Sequence, residues 1–177
     1  MPGFRFIEVP AGVDGPALEG AMWHPCSEPP GEIEVGRITP MYEIMVTGAK
    51  DCPVNGDGLP LIVVSHGRRS HFVLHHDTAE MLADAGFIVA AINHPGDTYF
   101  DMSRSDDLSA FADRPTDIKR LVDFMLGASP LASNIDPQRI GFFGFSRGGY
   151  TGFVLIGAHP DWGRRDQLLP AIVLPLV

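Results

Sequence analysis

The chain has 177 residues, 45% of them apolar and 20% charged, which suits a folded core and argues against wholesale disorder. Its formal charge is −9, and no basic run exceeds Arg68-Arg69 or Arg164-Arg165. That argues against a nucleic-acid partner, because phosphate binding draws on clustered Lys and Arg. The opening "MPGFRFIEVP" has no export-signal design, and the apolar end "LLPAIVLPLV" is too short to span a bilayer. A cytoplasmic protein with no membrane span is the expectation. Cys26 and Cys52 form no zinc pattern or disulfide framework, and two free thiols are the favoured reading over a pair.

In chain order, "FRFIEV" alternates as a strand does, and "ALEGAMWHP" offers a second. Residues 25–35 read as a loop leading to an extended piece around Tyr42–Val46, followed by the turn cluster "AKDCPVNGDGLP". "LIVVSHG" is a continuous β-branched run, suited to a strand covered on both faces. Asp77 to Ala85 has helical spacing and stops at Gly86; "FIVAAINH" is a second buried-type strand. A polar connection over residues 95–115 precedes a helix capped by Thr116, with Ile118, Leu121, Val122, Met125 and Leu126 on its apolar face. "RIGFFGF" is a third buried-type strand, and a helix follows from Arg147 to about Gly157. This alternation predicts an α/β fold, a mostly parallel sheet with helices on both faces, in one domain over residues 1–177.

Gly144-Phe145-Ser146-Arg147-Gly148 matches G-x-S-x-G, the turn that exposes a serine nucleophile between a strand and a helix. The alternative is a tight Gly-Ser turn that serves packing alone. The backbone N–H of Arg147 would lie at a helix N-terminus, suited to an oxyanion, and "SHGRRS" is placed to add the N–H of Arg68. His66, Gly67, His94 and Phe145 are expected around the cleft, and Phe72 shares with Phe145 a candidate place in an acyl pocket or the core.

The blocks "LPLIVVSHG", "HHDTAEMLADAGFIVAAINHPGD", "DRPTDIKRLVDFML" and "IDPQRIGFFGFSRGGYTG" together resemble dienelactone-hydrolase-like proteins of the α/β-hydrolase superfamily. They are also similar to the platelet-activating-factor acetylhydrolase branch. The resemblance covers roughly residues 4–160. It implies Ser146 as nucleophile, the N–H groups of Arg68 and Arg147 as oxyanion donors, and a small ester or lactone substrate; no cofactor and no metal are expected. Dienelactone hydrolase proper carries cysteine in the elbow, so serine here favours ester hydrolysis in general.

The triad acid and histidine normally follow the elbow. After Ser146 the sequence offers His159, with Asp161 close behind, and a helix from 147 to 157 would carry His159 ~16 Å away. Neither an acid nor a base is therefore identified. His66 or His94 is conceivable as a borrowed base, and His71 and His75 lack the glutamate of a zinc-protease motif. A hydrolase cut short after the sixth strand, with "AIVLPLV" as one more strand interrupted by Pro175, is favoured over a short homologue that has lost catalysis. The rival readings are a non-catalytic interaction protein, able to self-associate through an exposed sheet edge, and a nucleotide-binding module. The latter lacks G-x-G-x-x-G.

Overall fold

Three apolar runs pair in parallel to form the centre of one sheet. The computed structural model describes residues 1–39, 42–158 and 172–176. In chain order the strands are β1 (Pro2–Val9), β2 (Leu18–Pro25), β3 (Gly31–Thr39), β4 (Tyr42–Lys50), β5 (Leu59–Ser65), β6 (Ile88–Ile92), β7 (Ile135–Gly144) and β8 (Ile172–Leu176). They lie in the order β3-β4-β1-β2-β6-β5-β7-β8. β6, β5 and β7 are mutually parallel, and β1 and β4 point the same way; β2, β3 and β8 run opposite. The sheet is thus mixed, with most strands in one direction.

Strand alternation divides the core between the two faces. Leu61, Val63, Ile88, Ala90 and Ile92 face one way, against Ile118, Leu121 and Met125 of α2 (Ser109–Gly127). Val64, Val89 and Ala91 face the other, against Ala79 and Ala83 of α1 (His76–Asp84). α3 (Arg147–Leu155) packs beside α2, with Gly152 close to the Phe142 ring. Helices cover both faces, as the alternation of elements predicts. Gly86 ends α1 with φ of 99°, and the Phe87 N–H bonds back to Leu82 O at 3.0 Å.

Two elements differ from the sequence reading, and a third forms as expected. β3 occupies residues expected to be loop; its first residues follow Pro29-Pro30 directly, and its register shifts between Glu34 and Gly36. α2 begins at Ser109, not Thr116. The Asp107 carboxylate accepts the Ser109 N–H at 2.9 Å and starts the helix, and Pro115 is carried inside it. β8 does form, antiparallel to β7 and last in the described order, so Pro175 stands on an edge strand where its missing N–H is tolerated.

Cys26 and Cys52 are joined in a disulfide, which corrects the expectation of free thiols. The reason is topological. β1 inserts between β2 and β4, and Gly3 on β1 pairs with His24 on one side and Ala49 on the other. A Cβ at Gly3 would lie 2.6 Å from Cys52 Sγ, so the absent side chain leaves the space in which the two cysteines meet. The bridge closes a separation of 26 residues. Replacing both cysteines by alanine is expected to lower unfolding free energy by about 3 kcal/mol, measured by urea denaturation.

Candidate active site

The turn between β7 and α3 is made by Phe145 and Ser146. Ser146 has φ 53° and ψ −114°, a positive-φ conformation rarely adopted by a residue with a side chain. Such a backbone persists only where its surroundings fix it. Here the Phe145 N–H donates to Ser65 O at 3.2 Å, and the Gly148 N–H donates to Phe145 O at 2.8 Å. The flanking glycines are required by close approach. A Cβ on Gly148 would stand 1.9 Å from Ser65 O, and one on Gly144 would stand 2.4 Å from Gly148 C. Strand, loop and helix backbones therefore touch directly, and Ser146 is left half-buried at the crest with Phe145 46% exposed beside it.

Two backbone turns meet at this serine. Arg147 is the first residue of α3, where an N–H has no acceptor within the helix and carries the positive end of its dipole. The loop after β5 lies alongside: a Cβ on Gly67 would be 3.2 Å from the Phe145 ring and 3.6 Å from Ser146 Cβ. The sequence-expected residues Gly67, Arg68, Phe145, Ser146 and Arg147 thus gather at one end of the parallel strands. The Arg68 side chain is directed outward, paired with Asp106 and donating to Ser105 O.

His66 and His94, expected to line the cleft, are each only 1% exposed. Both rings are engaged internally. His66 Nδ1 donates to Gly67 O at 2.7 Å, while its Nε2 accepts the His94 N–H at 3.2 Å. His94 Nδ1 bonds Asp117 Oδ2 and its Nε2 bonds Ser65 Oγ, both at 2.9 Å. Ser65, His94 and Asp117 thus form a serine–histidine–aspartate chain inside the protein, with Ser65 fully buried. Neither ring offers a free nitrogen to Ser146, so the borrowed-base reading has no support here. His71 accepts the Val73 N–H and stacks on Phe72; the His75 ring packs on Phe143 and Phe145. His159 and Asp161 lie outside the described residues. No cluster of metal-ligating side chains occurs among the described residues, and no described helix is long and apolar enough to cross a membrane.

Behind the two turns lies a buried charged network missed by the sequence reading. Asp97, in the loop after β6, accepts from Arg114 Nη2 at 2.8 Å and Arg147 Nη1 at 2.6 Å. It also accepts the Arg69 N–H at 3.0 Å and the Ser105 hydroxyl at 2.9 Å. Burial alone would raise the Asp97 pKa, but these donors outweigh it and hold the carboxyl below its usual range. Two cavities of about 420 and 430 Å³ open over the ends of β1 and β2, with Glu8, Glu19 and His71 in both walls. Phe72 lines the first of them; Ser146 lines neither.

A parallel β5–β6–β7 core, a positive-φ serine at the crest of a strand–helix turn, and helices on both faces define an α/β-hydrolase-type fold. Residues 74–162, half of the chain, match the prolyl oligopeptidase family (Peptidase_S9), and the chain belongs to that family. It is 26% identical over 163 residues to the "Putative esterase NocK" of Nocardia uniformis subsp. tsuyamanensis, covering 78% of this chain and 46% of that protein. In structure it is similar to a ferulic acid esterase from Streptomyces cinnamoneus. That match has a TM-score of 0.70 at 19% identity and covers 88% of this chain and 55% of that one. It is also similar to DcsB, solved in complex with its substrate analogue, with a TM-score of 0.56 at 17% identity, covering 89% of this chain and 42% of that one. The chain therefore spans about half the length of these relatives.

Two outcomes follow from the packing and from the buried rings. Gly148→Ala is expected to destabilise the protein by about 3 kcal/mol through the clash with Ser65 O, read by chemical denaturation. Burial lowers the pKa of His24, His66, His71, His75 and His94, His71 to about 4. Each contributes stability that is complete above about pH 6.5 and lost as pH falls toward its folded value. Asp117, pushed up to about 7 by burial, acts oppositely: its contribution is present below about pH 4 and lost as pH rises through 7. With five groups against one, Tm is expected to fall between pH 7 and pH 5, and Asp117→Asn to steepen that fall, as followed by circular dichroism.

Proposed function

We propose that this protein is a serine hydrolase of the esterase type, acting on a small carboxylic ester, lactone or acyl substrate with Ser146 as nucleophile. The observation that carries the reading is the Ser146 backbone, held at positive φ between Ser65 O and the first turn of α3. A turn that serves packing alone has no need of a serine in that conformation, because glycine adopts it without strain. In the proposed reaction, Ser146 Oγ forms a bond to the substrate carbonyl carbon, and the carbonyl π electrons move onto oxygen. The N–H groups of Arg68 and Arg147 receive that developing charge. The hydroxyl proton passes to a general base and from there to the alkoxide, which departs as the carbonyl re-forms and the ester C–O bond breaks. Water then attacks the acyl-serine in the same way, releasing the acid and restoring the Ser146 hydroxyl.

The base and its acid partner belong, in this proposal, to residues outside those described, since the described His66 and His94 are occupied internally. Serine in place of the elbow cysteine favours general ester hydrolysis over a strict dienelactone activity. The ester preference is also supported by the names of the relatives, NocK and the ferulic acid esterase. The family name supports a second reading, cleavage of a prolyl peptide bond.

A fluorophosphonate probe is expected to label Ser146 and to leave Ser146→Ala unlabelled. Turnover of p-nitrophenyl acetate without turnover of a prolyl p-nitroanilide would support the ester reading, and the reverse would support the peptidase one. Absence of labelling together with absence of both turnovers would remove the enzyme reading for this chain. A non-catalytic interaction role would then be favoured.

A further inference from the structure

We propose that Asp97, Arg114 and Arg147 form one buried clamp that sets the direction and separation of the two oxyanion-donating turns, their side chains acting as positioning residues. The inference rests on the esterase reading for its catalytic consequence, but its mechanical content stands on the hydrogen bonds alone.

The orientation of the Arg68 N–H is the first element. A trans peptide is planar, so the carbonyl of one residue and the N–H of the next point in opposite directions. Gly67 O accepts from His66 Nδ1 at 2.7 Å and from Arg114 Nη2 at 3.1 Å. Fixing that oxygen inward fixes the Arg68 N–H in the opposite sense. Arg114 Nη1 also donates to His66 O at 2.6 Å, and Asp97 Oδ1 receives the Arg69 N–H. The peptide planes on both sides of Arg68 are therefore tied down, although its own side chain faces out.

The second turn is tied to the same carboxylate. Arg147 Nη1 reaches Asp97 Oδ2, its Nη2 donates to Ser105 O at 2.9 Å, and its guanidinium carbon lies 4.3 Å from the centroid of the Phe111 ring. Oδ2 of Asp97 thus holds both arginines, and Oδ1 holds the Arg69 N–H and the Ser105 hydroxyl. One carboxylate spans the loop after β5, the loop after β6, α2 and the first residue of α3. Asp97, Arg114 and Arg147 are 1%, 1% and 7% exposed, so water does not compete for these bonds. Strength of ion pairing is not the point of such a cluster, because dry charges recover little beyond their desolvation cost. The gain is geometric, since directional bonds from planar guanidinium groups fix angles as well as distances.

The test compares Arg147→Met, Arg147→Lys and the unsubstituted protein by amide hydrogen exchange and by Ser146-dependent hydrolysis of p-nitrophenyl acetate. Arg147→Met keeps the backbone N–H of the elbow and leaves the Asp97–Arg114 pair in place. Exchange is expected to rise in residues 145–149 and also in residues 66–70, which are not adjacent in sequence, while α1 and β6 stay protected. kcat is expected to fall at least about tenfold with KM within about twofold, because a misdirected donor costs the transition state more than the ground state. Arg147→Lys, which still reaches toward Asp97, is expected to recover part of both effects. Unchanged exchange in residues 66–70 would overturn the clamp, and so would altered exchange with unchanged kcat. If the unsubstituted protein shows no Ser146-dependent turnover, the esterase reading fails separately, and the exchange data alone decide whether the clamp exists.

Discussion

The arrangement around Ser146 depends on how the protein compensates the buried carboxylate of Asp97. Two guanidinium groups converge on it, and the three side chains are almost wholly removed from solvent. Removing that carboxylate would strand two guanidinium charges in the interior, at a cost on the order of 3–5 kcal/mol. The fold therefore has little freedom to relax there. Burial lowers the Arg114 pKa to about 10, which still leaves it charged at neutral pH. With both arginines positive against one carboxylate, a net positive charge lies behind the serine turn of a chain whose overall charge is −9.

The sheet explains why these groups can meet. β5, β6 and β7 end together because they are parallel and in register, Ser65 opposite both Ile92 and Gly144. Their following loops therefore emerge side by side, which places His66, His94 and Ser146 in one layer although 80 sequence positions separate the first and last. The same alignment builds the internal chain from Ser65 through His94 to Asp117. It contains the residue types of a catalytic triad, yet its serine is sealed in the core and its bonds link strand β5 and the loop after β6 to α2. Identity of residue types alone does not make a catalytic site; access does.

Local patterns in the sequence were sufficient for the central strands and for α1, where apolar runs end at residues such as Gly86. They were sufficient for the shape of the turn at Ser146 as well, because the steric demand for glycine on both sides of it is written within five residues. They failed where a tertiary contact decides the outcome. β3 reads as loop because its alternating start, Glu32-Ile33-Glu34-Val35, is short and follows the turn residues Pro29-Pro30-Gly31. The start of α2 was misplaced because Pro115 resembles a helix boundary. Asp97 and Arg114 are illegible at this level because charged residues in polar stretches read as solvent-exposed. One signal was available for Asp97, which lies in "HPGD", the short segment after buried β6, where a charge has a greater chance of being drawn inside; Arg114 lies within α2 and carries no such mark. The cysteine pair was illegible for the same kind of reason, since the strand that brings its ends together lies outside the interval between them.

The two variable positions of the serine turn have opposite fates. Phe145 faces outward beside Ser146, whereas the side chain of Arg147 is turned into the charged interior. A change at position 145 is therefore felt first by whatever molecule approaches the serine, and a change at position 147 first by the scaffold. The side chain at residue 145 is free to change without disturbing the interior, while that of residue 147 is anchored to its buried partner. The five-residue motif thus separates what can diversify from what must be kept.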